Sequence, residues 1–327
     1  MKVNRMKTYD ASMLSALKNA DNFMLCAHIN PDGDAVGCML AAGRLLRKMG
    51  KRVIIVSPSR IPDHLRWLPD AELIRPVEEA EGARIDAALC MDVSEAKRLG
   101  SAWPLFARAP LRFVIDHHLG GADIAQYTLI DHDAPAAGEL IFDLWEKMGV
   151  PLDREAAAQL YAAISTDTGN FCFDSVRPNT FACMEKLMKV GLDLSDASRR
   201  LFLTKTRPGM EVLGRALRSM KFFADGRATC MRLTAQDKAV CLAGDGDLHG
   251  VVNYGLNIEG VQMTFMADED ADGWKISLRA LPGGDVASIA ARFGGGGHKL
   301  AAGCVIEGPY EEIEARLMYA MEEALRT

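Results

Sequence analysis

Apolar residues fall along this chain in two rhythms, and the change comes near residue 190. Before it, short apolar runs alternate with helical patterns. The runs are Phe23–Ala27, Val53–Val56, Ala87–Met91 and Leu111–Ile115. Near-continuous runs of this kind predict strands covered on both faces, where every side chain meets protein. Asp34–Met49 repeats Val36, Met39, Leu40, Gly43 and Leu46 at helical spacing and stops at Gly50. Ala136–Met148 and Asp153–Ile164 also read as helices. Strands alternating with helices predict an α/β fold: an N-terminal, mainly parallel sheet with helices on both faces.

After residue 190 the pattern shortens. Residues 191–210 are polar and mixed, end in Pro208-Gly209, and read as a linker between domains at 1–190 and 211–327. Beyond it come the strand patterns ATCMRLT, GVQMTFMADE and GWKISLRA, with turn signals at Asp225-Gly226 and Asp272-Gly273. A helix is predicted over Val286–Phe293, then a glycine cluster, then a terminal helix over Tyr310–Leu325. These elements predict a smaller C-terminal α+β domain.

Composition narrows the function classes. The chain of 327 residues has a net charge of -6. That argues against tracking a long duplex, which needs a basic face to neutralise phosphates. A pocket for a few phosphates stays compatible with it, because a metal ion brings its own positive charge. No apolar run is long enough to span a membrane, and the N-terminus lacks a signal-peptide pattern. The eight cysteines include no CxxC pair and sit mostly in apolar surroundings, which points to reduced core thiols, a cytoplasmic setting and no zinc–thiolate site.

The candidate chemistry gathers at the ends of the predicted strands. The first strand runs into His28, Asp32 and Asp34, the third into Asp92, and the fourth into Asp116-His117-His118. The helix from Asp153 runs into Asp167. In open α/β sheets such ends line the ligand crevice. Each piece has a plainer reading: a strand-end aspartate is commonly a turn or helix cap. Their joint occurrence weighs against that, and His28, His117 and His118 are three of only seven histidines. Five aspartates brought together raise one another's pKa values unless a cation lies among them. Carboxylates and imidazoles without thiolate suit manganese or magnesium. Two such ions, about 3.5–4 Å apart, share a bridging carboxylate and activate a hydroxide for in-line attack on phosphorus.

The motifs HINPDGD, the Asp of MDVSEAK, IDHH and TDTGNF resemble those of the DHH phosphoesterase family. The segment SLRA followed by DVASIAARFGGGGHKLAAG resembles that family's DHH-associated domain, so the likeness spans essentially the whole chain. The resemblance implies two manganese ions, with magnesium or cobalt as alternatives. It implies that His28 and Asp32 hold one ion, that Asp34, His117 and Asp167 hold the other, and that Asp92 bridges them. Asp116 would orient a histidine of the triplet, and His118 would meet the scissile phosphate.

The glycine cluster Gly294–Gly297 lacks the Gly-Lys-Ser/Thr ending of a P-loop. Glycines let backbone N–H groups approach anionic oxygens. Taken alone the cluster reads equally well as a flexible glycine turn with an exposed histidine; the family resemblance implies that Gly295, Gly296, Gly297 and His298, with Arg279 on the preceding strand, bind phosphate across a cleft from the metals. Ala280 stands where the family often has Ser, which removes one hydroxyl contact.

Length and domain plan resemble the bacterial branch of bifunctional oligoribonucleases (nanoRNases) and phosphoadenosine-phosphate phosphatases. The implied substrates are short RNA oligomers and nucleotide phosphates; a homodimer is implied by resemblance alone. Rival readings are a linear or cyclic dinucleotide phosphodiesterase, a single-strand exonuclease, a manganese pyrophosphatase, and a non-catalytic nucleotide-binding regulatory protein. Asp131-His132-Asp133 reads as a solvated loop, Glu139 as structural, and His64 and His249 as loop residues without an evident partner.

Overall fold

The computed structural model describes residues 9–118, 124–271 and 273–326. The chain forms two compact units, Met1–Thr204 and Lys205–Thr327.

The first unit contains, in chain order, α1 (Ala11–Asn19), β1 (Asn22–Cys26), α2 (Gly33–Lys48), β2 (Arg52–Ser57), β3 (Ile74–Pro76), β4 (Ala87–Met91), α3 (Trp103–Arg108), β5 (Leu111–Asp116), β6 (Tyr127–Ile130), α4 (Ala137–Met148), α5 (Arg154–Asp167), α6 (Pro178–Lys189) and α7 (Leu194–Ser198). Its six strands form a wholly parallel sheet in the order β3-β2-β1-β4-β5-β6. The strand order reverses between β1 and β4, and in such sheets ligands bind beyond the strand ends at that point.

The apolar runs became strands because both sheet faces are covered. Along β1, Phe23 and Leu25 enter one core with Leu89, Phe113 and Ile115 and with residues of α2, α4 and α5. Met24 and Cys26 enter the other, with Cys90, Val114 and Phe106 of α3. The α2–α5 seam closes over glycine. A Cβ at Gly33 would lie 2.4 Å from Thr166 Oγ1, and one at Gly37 would lie 2.5 Å from the Gln159 carbonyl. Contact this close leaves no room for a methyl group without displacing a helix.

Residues 191–210, read from the sequence as a linker, contain the division between the two units and carry helical structure. They hold α7, a π-helical turn at Arg199–Leu203, and the start of the next helix. Pro208 lies in the first turn of that helix, where its missing N–H costs nothing.

The second unit contains α8 (Arg207–Arg218), β7 (Lys221–Phe223), β8 (Ala228–Leu233), α9 (Ala235–Cys241), β9 (Met263–Asp270), β10 (Gly273–Ala280), α10 (Val286–Ala291), β11 (Gly296–His298), β12 (Ala301–Ile306) and α11 (Tyr310–Ala324). The sheet order is β11-β12-β10-β9-β8-β7; β8 and β9 are parallel and the other pairs antiparallel. One face packs on α10 and α11. The β8–β9 end of the other face packs on α8 and on the short turn Val251–Gly255. The turn expected at Asp225-Gly226 joins β7 to β8, with Gly226 N–H on the Phe223 carbonyl at 3.1 Å. Asp272, of the second expected turn, lies outside the described residues. No described helix is long and apolar enough to cross a membrane.

Candidate metal centre

The loops after β1, β4 and β5, the first turn of α2 and the end of α5 bring His28, Asp32, Asp34, Asp92, His117, His118 and Asp167 together. Their ligand atoms form three overlapping groups, each within 4.8 Å: His28–Asp32–Asp92, Asp34–His117–Asp167 and Asp92–His117–His118.

Backbone contacts fix how the imidazoles point. His28 donates Nδ1–H to the Ile29 carbonyl at 2.7 Å, and His117 donates Nδ1–H to the Ala134 carbonyl at 3.0 Å. A carbonyl only accepts, so both rings turn Nε2 into the site. His28 Nε2 lies 3.2 Å from Asp92 Oδ2; His117 Nε2 lies 3.4 Å from Asp92 Oδ1 and 3.2 Å from Asp167 Oδ2. The two oxygens of Asp92 thus face the two histidines separately. Asp92 takes a left-handed backbone at φ 56°, a cost of about 1–2 kcal/mol for a residue with a Cβ.

Asp34 and Asp32 also serve as caps, so the plainer reading of each holds alongside its place in the cluster. Asp32 Oδ1 accepts the Asp34 and Ala35 N–H groups and starts α2. Asp34 is fully buried and caps a different helix: Oδ2 accepts Ala137 N–H at 2.6 Å, and Oδ1 accepts Gly138 N–H at 2.9 Å and the Cys38 thiol. A carboxylate has about four lone-pair positions. Three are used, and the fourth is on Oδ2, the atom 3.8 Å from His117 Nε2.

Asp116 organises the triplet. Its Oδ1 accepts the backbone N–H groups of His117 and His118 and lies 2.9 Å from His118 Nδ1. Asp131 does not lie in a solvated loop. It is buried, because its N–H pairs with the Asp116 carbonyl and extends the β5–β6 ladder. His132 is exposed and reaches the His117 carbonyl at 3.3 Å. Glu139 is buried and accepts hydrogen bonds from Arg177 and Asn179, an anchor for α6.

The electrostatics call for positive charge. Burial, then Asp92, holds the Asp34 carboxyl well above the usual range. Burial opposes charge on His117, but Asp167 and Asp92 outweigh it and push the imidazole up to about 12. Asp116, then Asp92, pushes His118 up to about 10. Burial also opposes the charge on Asp92, yet the three histidines hold it well below its ordinary value. Protons collect wherever no cation holds the carboxylates apart. His28 Nε2, His117 Nε2 and Asp92 Oδ1 are buried and have no hydrogen-bond partner. Orphaned atoms converging in this way fit a divalent cation bound by oxygen and imidazole. Burial and Asp34 keep Cys38 a thiol, which leaves no thiolate for a zinc–sulfur site.

In the second unit, Arg279, Ala301 and His298 form one row across β10, β12 and β11. Directly opposed residues share a face, so Arg279 and His298 lie on the same side, about 10 Å apart across two strand spacings. The glycine cluster expected as an open loop is partly an edge strand, β11. Gly295 and Gly297 are required there by close backbone packing: a Cβ would lie 2.1 Å from the Gly303 carbonyl and 2.6 Å from the Ala301 carbonyl, respectively. Gly296 faces open space.

This architecture is reflected in known proteins. Residues 22–164 match the DHH family, N-terminal domain, and residues 240–327 match the DHHA1 domain. The chain therefore carries a DHH family N-terminal domain followed by a DHHA1 domain. It is 29% identical over 309 residues to the bifunctional oligoribonuclease and PAP phosphatase NrnA of Thermus thermophilus, covering 92% of this chain and 89% of that protein. A crystal structure of an exopolyphosphatase-related protein from Bacteroides fragilis superposes with a TM-score of 0.92 at 28% identity, over 97% of this chain and 98% of that one. The manganese-dependent inorganic pyrophosphatase of Methanothrix thermoacetophila is 27% identical over 174 residues, 52% of this chain and 55% of that protein.

Proposed function

We propose that this chain is a two-metal phosphoesterase that cleaves short oligoribonucleotides to mononucleotides and removes the 3'-phosphate of 3'-phosphoadenosine 5'-phosphate. The observation that carries the reading is the division of the ligand set about Asp92. Its Oδ2 faces the His28–Asp32 side and its Oδ1 faces His117, with Asp34 and Asp167 beyond. His28 and Asp32 would hold one divalent cation, Asp34, His117 and Asp167 the other, and Asp92 would join both. The name of the Methanothrix relative supports manganese. When bound, a pair of divalent cations supplies Lewis acidity that lowers the pKa of water and offsets charge on the phosphoryl oxygens.

The chain's own groups do the rest. Asp116 holds Nδ1 of His118, fixing the ring so that its other nitrogen can hold a proton near the leaving oxygen. Arg279, with Gly295, Gly296, Gly297 and His298, would hold a substrate phosphate on the second unit's sheet. The substrate class follows the NrnA relative and the domain plan it shares with this chain.

The test is hydrolysis, with manganese, of a diribonucleotide, five- and twenty-residue RNAs, 3'-phosphoadenosine 5'-phosphate and pyrophosphate. Preference for the dinucleotide and the phosphoadenosine supports the proposal. Preference for the long RNA or for pyrophosphate rejects the substrate class. No turnover of any of them rejects the phosphoesterase reading.

A further inference from the structure

We propose that Phe173 is a stacking platform for a nucleobase of the substrate, set beside the candidate metal centre by the turn that follows Asp167. The proposal deepens the phosphoesterase reading and rests on it.

The turn begins where α5 ends. Asp167 is the last residue of that helix, and Gly169, Asn170 and Phe171 follow with φ of 56°, 55° and 65°. Positive φ suits glycine and is tolerated by asparagine, but it strains a phenylalanine, whose Cβ crowds the backbone. Hydrogen bonds to the end of α5 hold the turn in place. Asn170 N–H reaches the Ser165 carbonyl at 2.7 Å, and Phe171 N–H reaches the Thr168 hydroxyl at 3.2 Å. The N–H groups of Cys172 and Phe173 share the Thr168 carbonyl at 3.0 and 3.1 Å. The Thr168 hydroxyl itself donates to the Ile164 carbonyl at 2.7 Å.

The two phenylalanines of this turn differ in what they touch. Phe171 is half-buried, its ring centroid 6.3 Å from that of Tyr161 and 5.8 Å from that of Phe181. Packing explains its place. Phe173 is 57% exposed. The Cδ1–Cε1–Cζ side of its ring lies over Gly169, where a Cβ would be 2.4 to 2.8 Å from those atoms. Only glycine admits the ring there. The ring thus rests on backbone two residues beyond a candidate metal ligand, with more than half of the residue in water.

A single exposed phenylalanine is ordinary on a protein surface. This one is held by an ordered turn and stands on the open side of the centre. The Asp167 side chain is 32% exposed, against 2% for Asp92 and 0% for Asp34. A phosphoester therefore reaches the centre from the side that Asp167 lines, and a base one sugar away from its phosphate meets an aromatic ring. Every base has a π-face, so stacking serves oligomers of any sequence. Asp174, next in the chain, is exposed, and its charge favours an uncharged base over a second phosphate at this place.

The test is calorimetric binding, with manganese, of a hydrolysis-resistant diribonucleotide whose leaving oxygen is replaced by methylene. Two analogues accompany it, with the 5' or the 3' base replaced by hydrogen. In the wild-type chain one analogue should bind about tenfold more weakly than the parent. Phe173→Ala, checked for an unchanged unfolding midpoint, should weaken the parent by about the same factor and leave that analogue unaffected. Phe173→Tyr, which keeps the π-face, should restore the parent. Parent affinity unchanged by Phe173→Ala, or equal weakening of the parent and both analogues, overturns the platform. Hydrolysis assays separate the two readings. Turnover by a chain that fails the binding test rejects the platform alone. Base-dependent binding in a chain that cleaves no phosphoester supports the platform and rejects the phosphoesterase.

Discussion

In the first unit carboxylates are buried in excess: Asp34, Asp92 and Asp116 are nearly inaccessible, and the imidazoles among them bind protons tightly. In the second unit the imbalance runs the other way: Arg279 is partly buried on β10, and among the described residues no carboxylate pairs with it. On the proposed function, the first region would receive a cation and the second an anion. The two also differ in rigidity of definition. In the first, His28 and His117 are fixed by backbone carbonyls and Asp32 and Asp34 by the helices they cap, whereas the second relies on strand register and on small residues. A phosphoester bound to cations needs both kinds of site, and the fold keeps them on separate cores.

The sharpest way to break this comparison is at Asp92. Asp92→Asn should lower kcat/KM by on the order of 10³-fold or more and reduce bound manganese, because several kcal/mol of charge stabilisation is lost. Undiminished turnover with a full metal complement would remove the two-cation assignment. Arg279→Ala should act on the other pole, raising KM about 10- to 100-fold with metal content intact, as loss of a charge-assisted bond would. A fall in metal content with unchanged substrate affinity would erase the distinction between the two regions.

Gly33→Ala should cost about 1–3 kcal/mol in an unfolding titration, since its methyl meets Thr166 across the α2–α5 seam. Manganese affinity should fall with it, because Asp32 and Asp34 flank that glycine. Unchanged stability would mean that the seam yields without strain.

The smallest effect concerns crowded carboxylates away from the metal ligands. Burial, then Glu146 and Glu139, pushes the Asp143 carboxyl from 3.8 up to about 6. The folded chain therefore holds a proton that the unfolded chain releases, so this group's contribution falls as pH rises from 3.8 to about 6 and stays low above that. Asp143→Asn should stabilise the chain at pH 8 by on the order of 1 kcal/mol, after discounting for solvent access, and do little at pH 4. Equal effects at the two pH values would refute the assignment.

The parts legible in the sequence were those with local causes. β1, β2, β4 and β5 were readable because strands covered on both faces demand unbroken apolar runs, and the ligand clusters because each follows such a run directly. α8 was missed although Val212, Leu213 and Ala216 carry a helical repeat, because Pro208-Gly209 resembled a chain break rather than a first turn. Asp131 was misread as solvated since its burial comes from pairing with Asp116, fifteen positions earlier.

The cap that Asp34 places on α4 has a consequence for the order in which the molecule is made. The N-terminal residue flanking α4, Ala136, offers no capping side chain, so that helix begins on an acceptor synthesised about a hundred positions earlier. Asp34 in turn shares its group with His117 and Asp167. On the ribosome, the early histidine and aspartates emerge as isolated side chains with no nest to occupy. The nest needs Asp167 at the end of α5, so a nascent chain shorter than 167 residues cannot complete it.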